Sequence, residues 1–327
     1  MKSDMLREAT VKELFAGSFG YFRDYTRRKY RGFGRFVNWM SMLWCVARHG
    51  SSPQEYAQLQ FDRRSDRERA KYFTMFRFER FIKKVNTGDK KLFISKIRFN
   101  ERFAPYLRRD WLDMSKASFE EFCDFVRRHG ELMLKATELS CGKGIRRYVY
   151  TEGDDLRALY DANRDTLAEE FLHQHSELAA FNADSVNVPR LNTMLDAQGE
   201  PHLFTAFLRT GVSDVVVDNL YAGGIAAHID PETGITDTPA IDNRGNEYLC
   251  HPRSGKPFPG FRVPRWDEAV ALVLQAAREV PDMRYIGWDV AVTEEGVCLI
   301  EGNDRADICV RQYVDRHGWR RELTSMM

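Results

Sequence analysis

Three oxygen-bearing side chains near the C-terminus have the spacing of a metal site. They lie in two β-branched, alternating runs, Tyr285–Val292 and Val297–Asn303, separated by a short segment that ends in Gly296. This pattern predicts a β-hairpin. A three-residue loop with glycine in the left-handed position would pair Thr293 with Val297.

This register determines which side chains meet. It sets Asp289 opposite Glu301 on one face, with Cα atoms roughly 4.5 to 5.5 Å apart, and Asn303 shares that face because it lies two residues further on. Two carboxylates this close repel one another unless a positive group lies between them. Oxygen ligands of this kind suit Mg²⁺ that holds nucleotide phosphates. The alternative is a pair of exposed acidic residues on a solvated strand face.

A glycine-rich turn at 140–145 is the second feature that could do chemistry. A Walker loop would need Gly at position 137, where the chain has Thr, and Ser or Thr after Lys143, where it has Gly144. No GxGxxG opens a helix after a strand, so a Rossmann fingerprint is also missing. The segment is therefore either an ordinary surface turn or a hairpin tip that folds over phosphates through backbone N–H groups and Lys143.

Composition favours a globular protein in a reducing compartment. The 327 residues are 43% hydrophobic and 30% charged, which is ordinary for a folded chain with one to three domains. Six cysteines form no CxxC pair, so a disulfide scaffold is not expected. The first ten residues are charged and lack an apolar signal core. We expect a cytoplasmic protein.

The net charge of +1 conceals an asymmetry between the two parts of the chain. Residues 1–110 contain 26 Lys and Arg against 12 Asp and Glu, which gives +14, and the remainder contains 23 against 36, which gives −13. The basic part is expected to face nucleotide phosphates, an anionic lipid surface or the acidic C-terminal part itself.

A basic segment, 27–31, precedes the mostly apolar residues 36–47. About three helical turns are too short to span a bilayer. The segment could lie on a membrane surface, or it could be a core helix with a solvated flank, so peripheral membrane contact stays open. The interleaved Arg and Phe residues of 63–103 are not accompanied by any nucleic-acid-binding motif, and no nucleic acid is expected as a partner.

The element pattern predicts an α+β fold with antiparallel sheets. A helical, basic N-terminal region, 1–85, precedes a second domain, 86–327, with subdomains at about 117–175 and 185–327. The pattern predicts helices at 2–81, 117–128, 154–164 and 267–280, and strands at 131–135, 147–150, 165–171 and repeatedly from 185 onward. The spacing of Ser118 and Glu121 is that of a capping box.

The order of these parts resembles the ATP-grasp superfamily. A strand lysine, a glycine loop, a strand ending in acidic residues and the final hairpin follow one another as they do there. More narrowly, residues 96–312 resemble the sugar-transfer-associated branch. The most specific pieces are 185–190, 219–225, 251–255, 286–289 and 301–303.

The resemblance implies two α+β subdomains that clasp ATP, with one or two Mg²⁺ ions. It implies phosphate binding by two lysines, a mobile flap and a hinge that meets the adenine edge and the ribose. The residues at these positions are Lys96 and Lys135, then Gly142, Lys143 and Gly144, then Glu169, Glu170, Phe171 and Leu172. It also implies that Asp289, Glu301 and Asn303 are the metal ligands.

Departures from the superfamily pattern concern the substrate end. The chain has Ala136 where proline often follows the first lysine, and residues 304–307 replace the small residues and Pro-Gly that often follow the metal Asn. Gly287 stands where another class has an arginine. We therefore look for the anion-binding arginine at Arg190, Arg209 or Arg305, since a guanidinium fits a carboxylate or a phosphoryl group.

The resemblance implies a ligase that activates a carboxylate as an acyl phosphate and joins it to an amine, or to a thiol, with release of ADP and phosphate. The small-molecule carboxylate would be a sugar, a peptide or an amino acid. His228 and His251 could accept the proton of the amine. Two alternatives stay open: an ATP-grasp kinase that phosphorylates a hydroxyl, and a non-catalytic nucleotide-binding or membrane-surface scaffold.

Overall fold

A computed structural model describes residues 11–138, 144–212, 223–306, 308–314 and 316–327. Helices dominate the first third of the chain and strands the remainder. The helices are α1 (Val11–Lys29), α2 (Gly32–His49), α3 (Pro53–Gln58), α4 (Asp66–Arg69), α5 (Met75–Val85), α6 (Lys91–Ile94), α7 (Lys96–Arg102), α8 (Ala104–Leu107), α9 (Phe119–His129), α10 (Leu156–Ala162), α11 (Ser176–Ala179), α12 (Trp266–Arg278), α13 (Cys309–Val314) and α14 (Arg320–Ser325). Within these ranges no helix is both long and apolar enough to cross a lipid bilayer.

Two antiparallel sheets make up the rest. The strands are β1 (Trp111–Asp113), β2 (Glu131–Ala136), β3 (Ile145–Val149), β4 (Thr166–Glu170), β5 (Val188–Leu195), β6 (Pro201–Thr210), β7 (Ile225–Ile229), β8 (Ala240–Ile241), β9 (Glu247–Tyr248), β10 (Tyr285–Val292) and β11 (Val297–Asn303). The small sheet has the order β1-β4-β2-β3, and the large sheet β11-β10-β5-β6-β7-β8-β9. The prediction of an α+β fold with antiparallel sheets is confirmed.

The small sheet is covered by α9 and α10. The N-terminus of α9 carries the capping box expected from the sequence, in which Ser118 and Glu121 each bond the other's backbone N–H. The apolar face of α9 then packs Phe122 and Val126 against Leu132 and Leu134 of β2. Helix α9 therefore packs against the strand that carries Lys135.

The two faces of the large sheet differ in polarity, because side chains alternate between the faces along each strand. One face packs on α12 through residues such as Leu191, Leu208, Trp288 and Val290, all fully buried. The opposite face carries the polar residues that the sequence predicted as a site.

The N-terminal helices pack against the large sheet at its polar face and are linked to it by hydrogen bonds. Asn86, just after α5, donates from its side chain to the carbonyls of Tyr285 and Asp304, each at 2.7 Å, and accepts from Tyr285 N–H. Gln312 exchanges two hydrogen bonds with the backbone of Phe73. The start of β10 and the segment after β11 are thus held from outside the sheet.

Candidate active site

The β10–β11 hairpin brings the first two predicted ligands together. Asp289 lies directly opposite Glu301, as the sequence predicts. The predicted loop is wrong, because Val292 and not Thr293 pairs with Val297, which makes the loop four residues long. A β-bulge after Asp289 leaves Ile300 unpaired. The extra residue in the bulge restores the register that the longer loop had shifted.

A lateral row of side chains crosses five strands on the polar face. Glu301 on β11 is opposite Asp289 on β10, which is opposite Arg190 on β5. Arg190 is opposite Phe207 on β6, and Phe207 is opposite His228 on β7. Because adjacent strands are about 4.8 Å apart, the row spans roughly 19 Å from Glu301 to His228.

Asp289 is paired with two arginines. Arg190 donates to both carboxylate oxygens, with its Nη2 2.8 Å from Oδ2 and its Nε on Oδ1, and Arg209 Nη1 lies 3.3 and 3.4 Å from the same two oxygens. Burial would raise the pKa of the Asp289 carboxyl, but the two guanidinium groups outweigh it and lower the pKa to about 2. Asp289 is therefore ionised at neutral pH.

Glu301 and Asn303, the other two predicted ligands, both have buried polar atoms. Burial raises the pKa of the Glu301 carboxyl, and the neighbouring Asp289 charge raises it further, although Lys96 opposes both. Asn303 Nδ2 is buried without a hydrogen-bond partner among the described residues.

The donor set fits Mg²⁺. Nowhere in the described part of the chain do three or more His, Cys, Asp or Glu side chains form a metal cluster, so an ion here would rest on two carboxylates and one amide, all hard oxygen donors.

Lys135 enters the site from the small sheet and is held there by Glu169. Its Nζ bonds Glu169 Oε2, and Glu169 also accepts from Asn100 Nδ2 and from Arg109 Nη2, each at 2.9 Å. Burial would raise the pKa of the Glu169 carboxyl, but Arg109 and Lys135 lower it far below its usual range. Sequence reasoning placed Glu169 at the hinge and missed Asn100 and Arg109, for which the sequence offers no local signal.

Lys96, the first residue of α7, lies near Lys135, Glu169 and Glu301. Its backbone N–H donates to Thr137 O at 3.0 Å, which ties α7 to the end of β2. Burial lowers the pKa of its ammonium, while Glu301 and Glu169 act to raise it and Lys135 to lower it further. The two predicted lysines therefore lie within electrostatic reach of each other and of the metal hairpin.

The remaining hinge residues lie where β4 leaves the small sheet. Glu170 accepts from Asp110 N–H at 3.0 Å, and Phe171 N–H donates to Glu131 O at 3.2 Å. The Phe171 ring lies under the Arg147 guanidinium, 4.5 Å from its centroid, and Leu172 is partly buried. Of the predicted flap, Gly144 is an exposed turn residue whose carbonyl accepts from Ala136 N–H; Gly142 and Lys143 lie outside the described residues.

The three candidate arginines separate into two groups. Arg190 and Arg209 lie on Asp289, whereas Arg305 is about half exposed and pairs with Glu79 of α5. Gly287 explains why Arg190 can take this position. A Cβ at 287 would lie 3.0 Å from Arg190 Cδ and 2.6 Å from Asn192 Oδ1, and would overlap Ala306 Cβ. Arg190 of the neighbouring strand β5 thus occupies the space that a side chain at position 287 would fill.

The two candidate histidines differ in whether both ring nitrogens have hydrogen-bond partners. Both ring nitrogens of His251 have backbone partners: Nε2 bonds Gly211 O at 3.0 Å, and Nδ1 accepts from Arg253 and Ser254 in its own loop. His228 Nδ1 bonds Asp237 Oδ1 at 2.8 Å, and its Nε2 is buried with no hydrogen-bond partner among the described residues. With Asp237 as acceptor for Nδ1–H, Nε2 carries the lone pair.

Comparison with known proteins identifies one family and a set of solved structures. Residues 127–327 match the model of a family described as sugar-transfer associated ATP-grasp. No curated protein matches the sequence significantly. Among solved structures, similar chains include carboxyaminoimidazole ribonucleotide synthase from Aspergillus clavatus, complexed with ATP, at 14% identity over 67% of this chain and 46% of that one, with a TM-score of 0.42.

Two further structures belong to the same group of matches. The biotin carboxylase domain of Hydrogenobacter thermophilus 2-oxoglutarate carboxylase, in complex with MgADP, ADP and bicarbonate, is 16% identical over 67% of this chain and 41% of that one, with a TM-score of 0.41. The ATP-grasp ligase PsnB with a minimal precursor is 12% identical over 74% and 64%, with a TM-score of 0.43. The chain spans less than two thirds of each.

Proposed function

Because this chain belongs to the sugar-transfer associated ATP-grasp family, we propose that it is an ATP- and Mg²⁺-dependent carboxylate–amine ligase. It forms an amide through an acyl phosphate and releases ADP and phosphate. The substrates are a small-molecule carboxylate (a sugar acid, a peptide or an amino acid) and an amine.

The observation that carries this proposal is the convergence of eight charged side chains from both sheets, from α7 and from the segment between α8 and β1. The cations are Lys96, Arg109, Lys135, Arg190 and Arg209, and the anions are Glu169, Asp289 and Glu301. Five cations stand against three carboxylates in this set, so the balance of these eight side chains is positive. A positive balance favours an anionic ligand such as MgATP and attracts phosphate into a site largely shielded from water.

The lysines and arginines have separable tasks. Lys96 and Lys135 are compact ammonium groups on long stems, suited to non-bridging phosphate oxygens. Arg190 and Arg209 present planar forks suited to a carboxylate or to the phosphoryl group in transit. Asp289, Glu301 and Asn303 would hold Mg²⁺, which neutralises charge on the phosphates when it is bound.

The chemistry then proceeds in two displacements. The substrate carboxylate attacks the γ-phosphorus of ATP, so that a C–O–P linkage forms and ADP leaves. The amine attacks the acyl carbon, phosphate leaves with the bonding electrons, and the ammonium proton passes to a base. His228 Nε2 is our candidate for that base, because Asp237 fixes the imidazole in the tautomer that can accept a proton there.

We also propose a reducing compartment, the cytoplasm. Cys45, Cys123 and Cys298 are buried free thiols, and Cys250 is an exposed one. Thiols of this kind are typical of proteins kept reduced.

The test is an assay with purified protein, MgATP and pooled carboxylates, with and without pooled amines, in which ADP, phosphate and new masses are followed. Amide masses that appear together with ADP support the ligase. Phosphorylated products without an amide would replace the ligase by the kinase. Equilibrium dialysis with ATP and Mg²⁺ gives a second readout, and an absence of both binding and turnover would reject the nucleotide site.

A matched pair of variants makes the assay specific. Glu301→Gln removes a carboxylate from the metal hairpin with little change of shape, and we expect turnover to fall by about 10²-fold or more. Arg305→Gln removes the candidate arginine that pairs with Glu79 instead of Asp289, and we expect near wild-type turnover.

A further inference from the structure

Helix α2 exposes an apolar face that nothing in the described chain covers. Large hydrophobic side chains with about half or more of their surface exposed recur at helical spacing along one side; they are Phe33, Phe36, Val37, Met40, Leu43 and Trp44, from 47% to 78% exposed. The opposite side, with Met42 and Cys45, packs into the N-terminal core. We call the six exposed residues the α2 stripe.

The stripe is exceptional within this molecule. Nine large hydrophobic side chains are exposed across the described residues, and six of them belong to this one face. The other three, Ile94, Val149 and Leu249, lie on separate elements. Scattered apolar residues are normal on a protein surface, but a contiguous set marks an interaction site.

The charges around the stripe are almost all positive. Helix α2 contains no Asp or Glu, and residues 23–48 contain seven Lys or Arg and one acidic residue, Asp24. Arg27, Arg28, Arg31 and Arg35 are all exposed beside its N-terminal end. At the other end, Asp66 accepts from Trp44 Nε1 at 3.3 Å and is paired with His49 at 2.6 Å.

We propose that the α2 stripe docks on an anionic membrane surface, with α2 lying in the plane of the lipid interface. A helix with apolar side chains on its outer face, Trp among them, and cationic flanks has the composition of an interfacial helix. The Trp44 indole has an apolar body and a polar N–H, which suits the headgroup level. The exposed arginines attract anionic headgroups within a Debye length of the surface.

Charge argues against a second copy of the chain as the occupant. A two-fold dimer through the stripe would have to bring identical surfaces together. Crossing the two helices antiparallel would set Arg31 and Arg35 of one copy beside Arg48 of the other. Neither helix carries a carboxylate, and Asp66 at that end is already paired with His49 and Trp44. An anionic lipid surface supplies the missing negative charge.

The experiment is co-sedimentation of the full chain with vesicles. One set is pure phosphatidylcholine and the other contains about one third phosphatidylglycerol. We expect binding to the anionic vesicles, roughly tenfold weaker binding to the neutral ones, and loss of the difference in high salt. Equal partition into both sets, or into neither, would overturn the proposal.

Variants assign the binding to the stripe. Met40→Glu/Leu43→Glu places two carboxylates on it, and we expect at least about a tenfold loss of vesicle binding. Arg27→Gln/Arg28→Gln removes two exposed charges of the cationic flank, and we expect weaker binding to the anionic vesicles. Leu249→Glu changes a residue 66% exposed elsewhere and should bind as wild type.

Sedimentation velocity without vesicles completes the test. A monomer that binds anionic vesicles is the expected result. A dimer that the Met40→Glu/Leu43→Glu variant dissociates, together with vesicle binding that this variant leaves unchanged, would show that the stripe joins two copies instead. The outcome does not depend on ATP turnover.

Discussion

The Arg190 guanidinium holds both carboxylate oxygens of Asp289 from the adjacent strand, and both side chains are almost fully enclosed, 14% and 4% exposed. A charge pair of this kind is costly to break on one side only. We predict that Arg190→Met lowers the free energy of unfolding by about 3 to 5 kcal/mol, because Asp289 is left buried beside Arg209 alone. The double variant Arg190→Met/Asp289→Asn should recover part of that loss, as urea denaturation will show.

The control is the exposed pair Arg278–Glu200, 2.9 Å apart with both side chains more than half exposed. The corresponding cycle there should give a coupling of less than about 1 kcal/mol. Equal coupling in the two cycles would show that enclosure does not strengthen the Arg190–Asp289 pair.

Gly287→Ala should damage the site without touching a charged group. The new Cβ would overlap Ala306 and crowd Asn192 and Arg190, so β10 or the arginine must move. We predict lower ATP turnover and a loss of roughly 1 to 3 kcal/mol in stability. Gly17→Ala is the matched control, since a Cβ at that position in α1 has open space and should be neutral or stabilising by up to about 1 kcal/mol.

Stability should depend on pH through Glu169. Its folded-state pKa is depressed by Arg109 and Lys135, which outweigh burial, so its stabilising contribution is complete above the ordinary value of 4.5 and is lost as pH falls below it. We predict that wild type loses more unfolding free energy than Glu169→Gln between about pH 6 and pH 3. The more exposed Glu170→Gln should follow the wild-type curve, and parallel curves for wild type and Glu169→Gln would contradict the assignment.

His228 and His251 should differ in which step they affect. His228→Phe removes the candidate base while keeping an aromatic ring, so the amide yield should fall by roughly 10²-fold while ADP release through hydrolysis of the acyl phosphate persists. Asp237→Asn should shift the same ratio in the same direction. His251→Phe should lower stability, because that ring joins its loop to Gly211, and should leave the ratio of amide to ADP unchanged.

Features that depend on neighbouring residues in the sequence were predicted better than features that depend on contacts between distant segments. The capping box at Ser118 was predictable because it is decided within one helical turn. The pairing of Asp289 with Glu301 was predicted correctly although the predicted loop was wrong. The loop has four residues instead of three, and the bulge at Ile300 restores the predicted pairing. A bulge depends on packing across the sheet, so the hairpin sequence does not reveal it.

The network around Glu169 shows the other limit. Asn100 and Arg109 reach this carboxylate across 69 and 60 residues of sequence, and nothing near either residue signals a buried partner. Lys96 was placed through a family resemblance, since its helix carries no phosphate-binding motif. The separation of Arg305 from Arg190 and Arg209 likewise required the fold.

The hydrogen bonds of Asn86 have a consequence for synthesis of the chain. Their partners, Tyr285 and Asp304, follow 199 and 218 residues later. At a translation rate of about 5 to 20 residues per second, roughly 10 to 40 s separate the emergence of Asn86 from that of Tyr285. During this interval the N-terminal helices have been synthesised, but the strand that they will cover, β10, has not.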